Sequence, residues 1–123
     1  MADYTAWDPN PAVADRRYAR TKYASAVFEP AAVAKPLPGI LYGLNAYNKN
    51  ASARYIQVFD AASIPAAGSV PEIEVAAATA SSANPVIPAV GIPFVNGITV
   101  CASTTSGNLT LAGTDCVFEI VYA

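Results

Sequence analysis

From Gly39 to the last residue, the chain consists of short β-rich runs separated by turn residues. The most regular run covers residues 115–122. Its alternation places one set of side chains on a single face, which we expect to be core: Cys116, Phe118, Ile120 and Tyr122. Further strands are predicted at residues 39–47, 54–59, 72–76, 98–103 and 109–111. Short strands at this spacing predict an all-β fold built as a single β-sandwich.

The connections between these runs carry their own signals. Residues 39–47 and 54–59 flank the polar turn 48–52, so we expect these two strands to pair as a hairpin. Residues 81–93 contain three prolines, which exclude a central strand there and favour an edge or an extended crossing segment. Asn96 and Gly97 are typical of a tight hairpin turn.

The first 38 residues differ from the rest, with five prolines and no strand pattern. We therefore divide the chain into an extended N-terminal arm, residues 1–38, and a β-sandwich domain, residues 39–123. A short helix from Pro11 to about Ala24 fits the arm's arginines. Ordering the arm costs about 1 to 2 kcal/mol per residue, so it needs a surface to lie on. The alternative is a disordered terminus.

Aromatic and basic side chains are the natural anchors of such an arm. An aromatic ring buries roughly 150 to 250 Å² in a partner's groove, and arginine pairs with acidic surfaces. The candidate partner-binding residues are Trp7, Arg16, Arg17, Tyr18, Arg20, Tyr23 and Phe28.

Charge is distributed unevenly along the chain. All seven Lys and Arg lie at or before Arg54, together with four of the nine Asp and Glu, and the remaining residues carry only acidic groups. The chain is 54% hydrophobic and only 13% charged, so much of its surface must be neutral contact surface. A net charge of −2 argues against nucleic acid as a partner, and no apolar stretch is long enough to suggest a membrane partner.

Residues suited to catalysis or metal binding are scarce. Histidine is absent and no phosphate-binding loop occurs, so we expect no enzyme activity and no cofactor. Glu72 and Glu74 are interpreted as the solvated face of a strand, with no metal site. Cys101 and Cys116 both lie in predicted strands, which leaves two alternatives: a disulfide between them, or two free thiols buried as small hydrophobes.

A family resemblance rests on four segments: residues 43–45, 54–60, 91–98 and 103–105. Together they resemble a pattern in small virion proteins of tailed bacteriophages, over about residues 40 to 122. This pattern is similar to β-sandwich or jelly-roll modules that decorate or cement capsids. The resemblance therefore implies a jelly-roll-like sandwich.

The same resemblance implies a function. It suggests a cement protein on the outer capsid surface, made in the host cytoplasm, that clamps neighbouring major capsid protein subunits as a dimer or trimer. We expect the arm to form the clamp, so deleting residues 1–36 should abolish capsid binding and leave the β-domain folded. The alternative is a receptor- or glycan-binding module of a tail or fibre, with its site in loops 60–71 and 103–114.

Overall fold

The structure, a computed structural model, describes residues 20–123. Every regular element in this part of the chain is a β-strand, and nine are present. In chain order they are β1 (Thr21–Ala24), β2 (Ala31–Lys35), β3 (Gly39–Asn48), β4 (Arg54–Asp60), β5 (Ile73–Ala77), β6 (Ser81–Ala83), β7 (Ile92–Phe94), β8 (Ile98–Ser103) and β9 (Cys116–Tyr122).

The strands form two antiparallel sheets packed face to face, which confirms the predicted β-sandwich. Sheet I has the order β1-β9-β3, and the far edge of β3 is shared by β7 at its start and β6 at its end. Sheet II has the order β2-β8-β4-β5. The pairing runs from the two ends of the chain towards its middle: β1 with β9, β2 with β8, β3 with β6 and β7, and β4 with β5. This nested order is that of a jelly roll.

Two sequence-based expectations are wrong in topology. Residues 39–47 and 54–59 are strands, as predicted, but β3 lies in sheet I and β4 in sheet II, so they form no hairpin. The turn at Asn96 and Gly97 also crosses between the sheets, from β7 to β8. A jelly roll makes its pairs between strands distant in sequence, and this overrides the local hairpin signal.

The N-terminal region contains two strands that the sequence did not reveal. β1 and β2 lie within the predicted arm and form one edge of sheet I and one edge of sheet II. The predicted helix is wrong at residues 21–24, which are strand, and its earlier part lies outside the described residues. Deleting residues 1–36 would therefore remove two strands, and a clean deletion ends before Thr21.

The core lies between the two sheets. The predicted inner face of β9 is confirmed, with Cys116, Phe118 and Ile120 fully buried and Tyr122 packed against them. In β3 the spacing of buried residues changes, since Leu41 and Leu44 both point inward across an irregularity in the β3–β9 pairing. That β-bulge turns Gly43 towards the outer face of sheet I.

One buried amide joins the sheets at the end of β3. The Asn48 side chain is fully buried, and its Nδ2 donates to the carbonyl of Ala77 in sheet II at 3.2 Å and to that of Ser52 at 2.9 Å. Its Oδ1 accepts from the Asn50 N–H at 2.9 Å. A buried amide with its groups paired in this way fixes the β3–β4 connection, because any other arrangement leaves a polar group unpaired.

A pair of valines tests the core assignment. Val100 is fully buried on β8 and Val86 is 97% exposed, so Val100→Ala should lower the free energy of unfolding by about 2 to 3 kcal/mol. Val86→Ala should change it by less than about 0.5 kcal/mol. Urea denaturation measures both, and equal effects would contradict the assigned packing.

Candidate functional site

Three loops meet at one end of the sandwich: residues 36–38, 61–71 and 95–97. The strand registers place them together, because Gly39 pairs with Phe94 and Ile98 pairs with both Lys35 and Asp60. β1 begins at the same end, where Thr21 pairs with Tyr122. The N-terminal residues therefore join the described domain beside these loops.

The three loops carry no charged side chain, and we call them the uncharged end. Three large apolar side chains stand exposed on it, Leu37, Ile64 and Val95, with exposures of 62%, 49% and 73%. Exposed apolar side chains are typical of the centre of a protein interface, and the charged residues that flank these loops, Lys35, Asp60 and Glu72, suit its rim. The uncharged end is therefore the surface best suited to bind another protein.

The loops of the uncharged end are tightly packed. The Asp60 carboxylate accepts the Asn96 N–H at 2.7 Å and the Gly97 N–H at 3.4 Å, and these hydrogen bonds help to lower the pKa of Asp60. The Ala61 N–H donates to the Gly97 carbonyl at 3.2 Å. A Cβ atom on Gly97 would lie 2.6 Å from the Lys35 carbonyl oxygen and 2.7 Å from that of Ala61, so only glycine fits here. The surface is thus preformed.

The opposite end carries a closely paired Arg and Asp. Arg54 Nε lies 3.0 Å from Asp115 Oδ2, and Asn50 donates to the other oxygen of the same carboxylate at 3.0 Å. The hydrogen bond from Asn50, and after it the Arg54 guanidinium, lower the pKa of Asp115, although burial opposes the shift. The two ends of the sandwich therefore suit different partners.

The structure does not bring the described arm residues into one site. Arg20 stacks on the Tyr42 ring, 3.8 Å from its centroid, at the uncharged end of sheet I. Tyr23 packs against the core and donates to Glu29 at 2.6 Å; burial and this carboxylate raise the pKa of Tyr23 to about 12. Phe28 lies at the opposite end under Lys49, whose Nζ is 4.2 Å from the ring centroid. Four candidates lie outside the described residues: Trp7, Arg16, Arg17 and Tyr18.

A hollow of about 370 Å³ opens on the outer face of sheet I. It lies over β1, β9 and β3 and is bounded by the 84–87 segment that follows β6. Polar groups at its rim include Lys22 and Glu119, which form an exposed ion pair with a separation of 3.0 Å, and the exposed Asn45. A second hollow of about 220 Å³ adjoins it and shares Asn45 and Glu119. This region was not among the sites predicted from the sequence.

The outer face of sheet II is covered by the chain's own loops. Leu109 is 2% exposed and packs on Phe59, Cys101 and Ala31, on the side of the sheet away from the core. The Gly68 N–H donates to the Leu109 carbonyl at 2.8 Å, which links the two covering loops. Loops 60–71 and 103–114, the alternative site predicted from sequence, therefore act here as a lid over the sheet.

Glu74 and Gln57 attach this lid to the sheet. Gln57 is fully buried and its Nε2 donates to the Asn108 carbonyl at 3.0 Å and to Glu74 Oε1 at 2.8 Å. The Glu74 carboxylate also accepts the Ser106 hydroxyl at 2.6 Å and the Gly107 N–H at 2.9 Å. Burial raises the pKa of Glu74, but the hydrogen bonds from these three donors outweigh it and the pKa lies below its usual range.

Both cysteines are free, buried thiols. They lie in different sheets, Cys101 on β8 under the lid and Cys116 on β9 in the core. Burial raises the pKa of Cys101 to about 12 and that of Cys116 to about 11, so both remain protonated at neutral pH. The sequence left open either a disulfide or two free thiols. The structure has two free thiols, which pack as small buried hydrophobic side chains.

Within residues 20–123, His, Cys, Asp and Glu nowhere form a group of three that could hold a metal ion. No helix in that range is long and apolar enough to cross a membrane. Comparisons with protein-family models, curated proteins and solved structures found no match.

Two glycine substitutions test how rigid the uncharged end is. Gly97→Ala forces backbone atoms apart and should lower the free energy of unfolding by about 1 to 3 kcal/mol. In Gly43→Ala the new Cβ would lie 3.7 Å from Val121, an ordinary contact, so stability should change by less than about 1 kcal/mol. Equal losses in thermal or urea unfolding would show that the loops at the uncharged end are not tightly packed.

Titration of Glu74 gives a pH-dependent prediction. Because its pKa is lower in the folded state, its carboxylate stabilises the fold above the pKa of the unfolded chain, about 4.3, and this contribution is lost as pH falls through the folded value. The stability gap between wild type and Glu74→Gln should therefore shrink between pH 7 and pH 3. The exposed Glu72→Gln is the control, and a gap that stays constant with pH would contradict the prediction.

Proposed function

We propose that this chain is a structural virion protein that binds the outer surface of a phage capsid and stabilises contacts between major capsid protein subunits. The observation that carries the proposal is the uncharged end, at which exposed apolar loops and the start of β1 lie together. The domain can dock there while its N-terminal residues reach the next subunit.

The distribution of charge supports this orientation. Burying a charged group in an interface is costly unless it is paired, whereas an uncharged apolar surface loses little by desolvation. Among the described residues, the ion pair Arg54–Asp115 lies at the opposite end of the sandwich from the uncharged loops. In the proposal that opposite end faces solvent and the uncharged end faces the shell.

The N-terminal segment supplies the second part of the attachment. It carries Trp7, Arg16, Arg17 and Tyr18, side chains that suit an apolar groove flanked by acidic groups. In this proposal the segment clamps a neighbouring capsid subunit, and the contacts made there offset the entropy lost when the segment binds. The protein would act as a dimer or trimer at the capsid surface.

A second candidate is a receptor- or glycan-binding module of a tail or fibre. Jelly rolls occur in both viral capsid proteins and lectins, so the fold by itself fits either role by analogy. The hollow on sheet I favours this candidate, because the amides of Asn45 and Asn84 line it and are suited to bind hydroxyl groups. Loops 60–71 and 103–114 are committed to covering sheet II.

Co-sedimentation with capsids tests the proposal. Intact capsids and capsids stripped of decoration are mixed with the full chain, with a chain lacking residues 1–19, and with Val95→Lys. Val95 is 73% exposed at the uncharged end; the matched control is Val27→Lys, 68% exposed at the opposite end. Wild type and the control should bind saturably to stripped capsids. Val95→Lys should bind at least about tenfold more weakly, and the deletion should abolish binding.

The outcomes are distinct. If Val95→Lys and the deletion both bind as tightly as wild type, neither surface attaches the protein and the proposal fails. If the wild type binds no capsid and is found only at the tail, the second candidate replaces it. Cooperative thermal unfolding of each variant shows that the sandwich is intact.

A further inference from the structure

The larger hollow on sheet I lies where the N-terminal residues join the sandwich. Arg20 covers the Tyr42 ring, and both Tyr42 and Lys22 line the hollow. Arg20, to which the first 19 residues are joined, thus lies beside the hollow. Whatever fills the hollow lies within immediate reach of the first 19 residues of the chain.

The shape of the hollow follows from β3. Its floor is Gly43, which the β-bulge turns outward, so no side chain fills the centre. On the side of β3 away from β9, β7 pairs with residues 39–41 and β6 pairs with residues 46–48. Residues 42–45 between them have no strand opposite on that side. The result is a concave site of about 370 Å³, a size typical of binding sites.

The lining suits an aromatic side chain that also carries a hydrogen-bond donor. Ile87 and Val121 provide apolar surface, and Asn45 and Glu119 provide oxygen acceptors at the rim. An indole ring combines a large apolar body with a single N–H donor. The chain has one tryptophan, Trp7, in the N-terminal segment.

We infer that this hollow binds the N-terminal segment of the same chain, with the Trp7 ring seated over Gly43. A tether of about 13 residues, the separation between Trp7 and Arg20, has a random-coil root-mean-square span of roughly 20 Å, enough to reach back across the face of one sheet. Such a tether gives an effective concentration in the millimolar range, so the chain's own segment outcompetes that of another copy in dilute solution.

This inference goes beyond the proposed function and does not depend on a virion role. It gives the hollow an occupant in the free protein, and it keeps the Trp7 ring out of water. A partner that binds Trp7 must then compete with the hollow for it.

The fluorescence of Trp7, the single tryptophan of the chain, reports whether its ring is shielded from water. In wild type its fluorescence should be shifted to shorter wavelength, and be quenched less by acrylamide, than in the urea-unfolded chain. Gly43→Phe fills the hollow from its floor, and should shift the emission to the unfolded position and raise quenching to match. Gly43→Ala leaves most of the hollow free and should behave as wild type. Ala76→Phe adds the same ring at an exposed position on β5 and should also behave as wild type.

Each other result overturns the inference. Trp7 emission and quenching equal to those of the unfolded chain would show that nothing holds the ring. A shielded Trp7 that Gly43→Phe leaves unchanged would place it elsewhere, and shielding that disappears on dilution would make a second copy the host. If Gly43→Phe does not fold, Asn45→Arg obstructs the same hollow from its exposed rim and is read in the same way.

Discussion

The complete burial of β8 is the constraint on which the rest of the structure depends. All six of its residues are buried, although their side chains alternate between two faces. Ile98, Val100 and Ala102 pack in the core between the sheets, while Thr99, Cys101 and Ser103 point to the other side. An ordinary two-sheet sandwich leaves that outer face in water, so here a further layer must cover it.

The covering layer also pairs the hydroxyl groups that β8 presents on that face. The Thr99 hydroxyl donates to the Ala61 carbonyl at 2.8 Å, and the Ser103 hydroxyl donates to the Asn108 carbonyl at 3.1 Å. Both acceptors are backbone groups of the loops that form the lid. The small hydroxyl side chains on β8 thus form hydrogen bonds with loop carbonyls that are buried away from water, so both the hydroxyl and the carbonyl groups have a partner.

This arrangement divides the surface of the molecule. The outer face of sheet II is closed by the chain's own loops, whereas the outer face of sheet I keeps two hollows beside β3. At one end of the sandwich, the uncharged end exposes Leu37, Ile64 and Val95 on loops that Asp60 and Gly97 hold in place. Two surfaces therefore remain open to a partner: the outer face of sheet I, and the uncharged end, where the lid loop 61–71 exposes Ile64.

The sequence alone predicted much of the sandwich. Period-two alternation identified β9 and its inner face, and β-rich runs between turn residues located β3, β4, β5 and β8, because these signals are local. The prolines at 85, 88 and 93 correctly excluded a central strand, since β6 and β7 are short edge strands. The missing histidine and the one-sided distribution of basic residues were likewise visible at once.

Some features left only faint traces in the sequence. β1 and β2 are short and rich in alanine and charged residues, which gives no alternation to read, so their strand structure comes from the neighbours they pair with. The bulge that creates the hollow is visible only as buried leucines three positions apart, Leu41 and Leu44, where a regular strand would place them two or four apart.

The sequence by itself therefore determined strands β3, β4, β5, β8 and β9, the inner face of the last strand and the low surface charge. The tertiary structure alone decided that β3 and β4 belong to different sheets, that the loop carrying Leu109 covers sheet II, and that Gly43 lies at the floor of an open hollow. The physical reason is that strand propensity and alternation act over a few residues. Strand pairing, and the packing of loops over a sheet, join segments that are far apart in the chain, and they depend on how the whole domain buries its apolar surface.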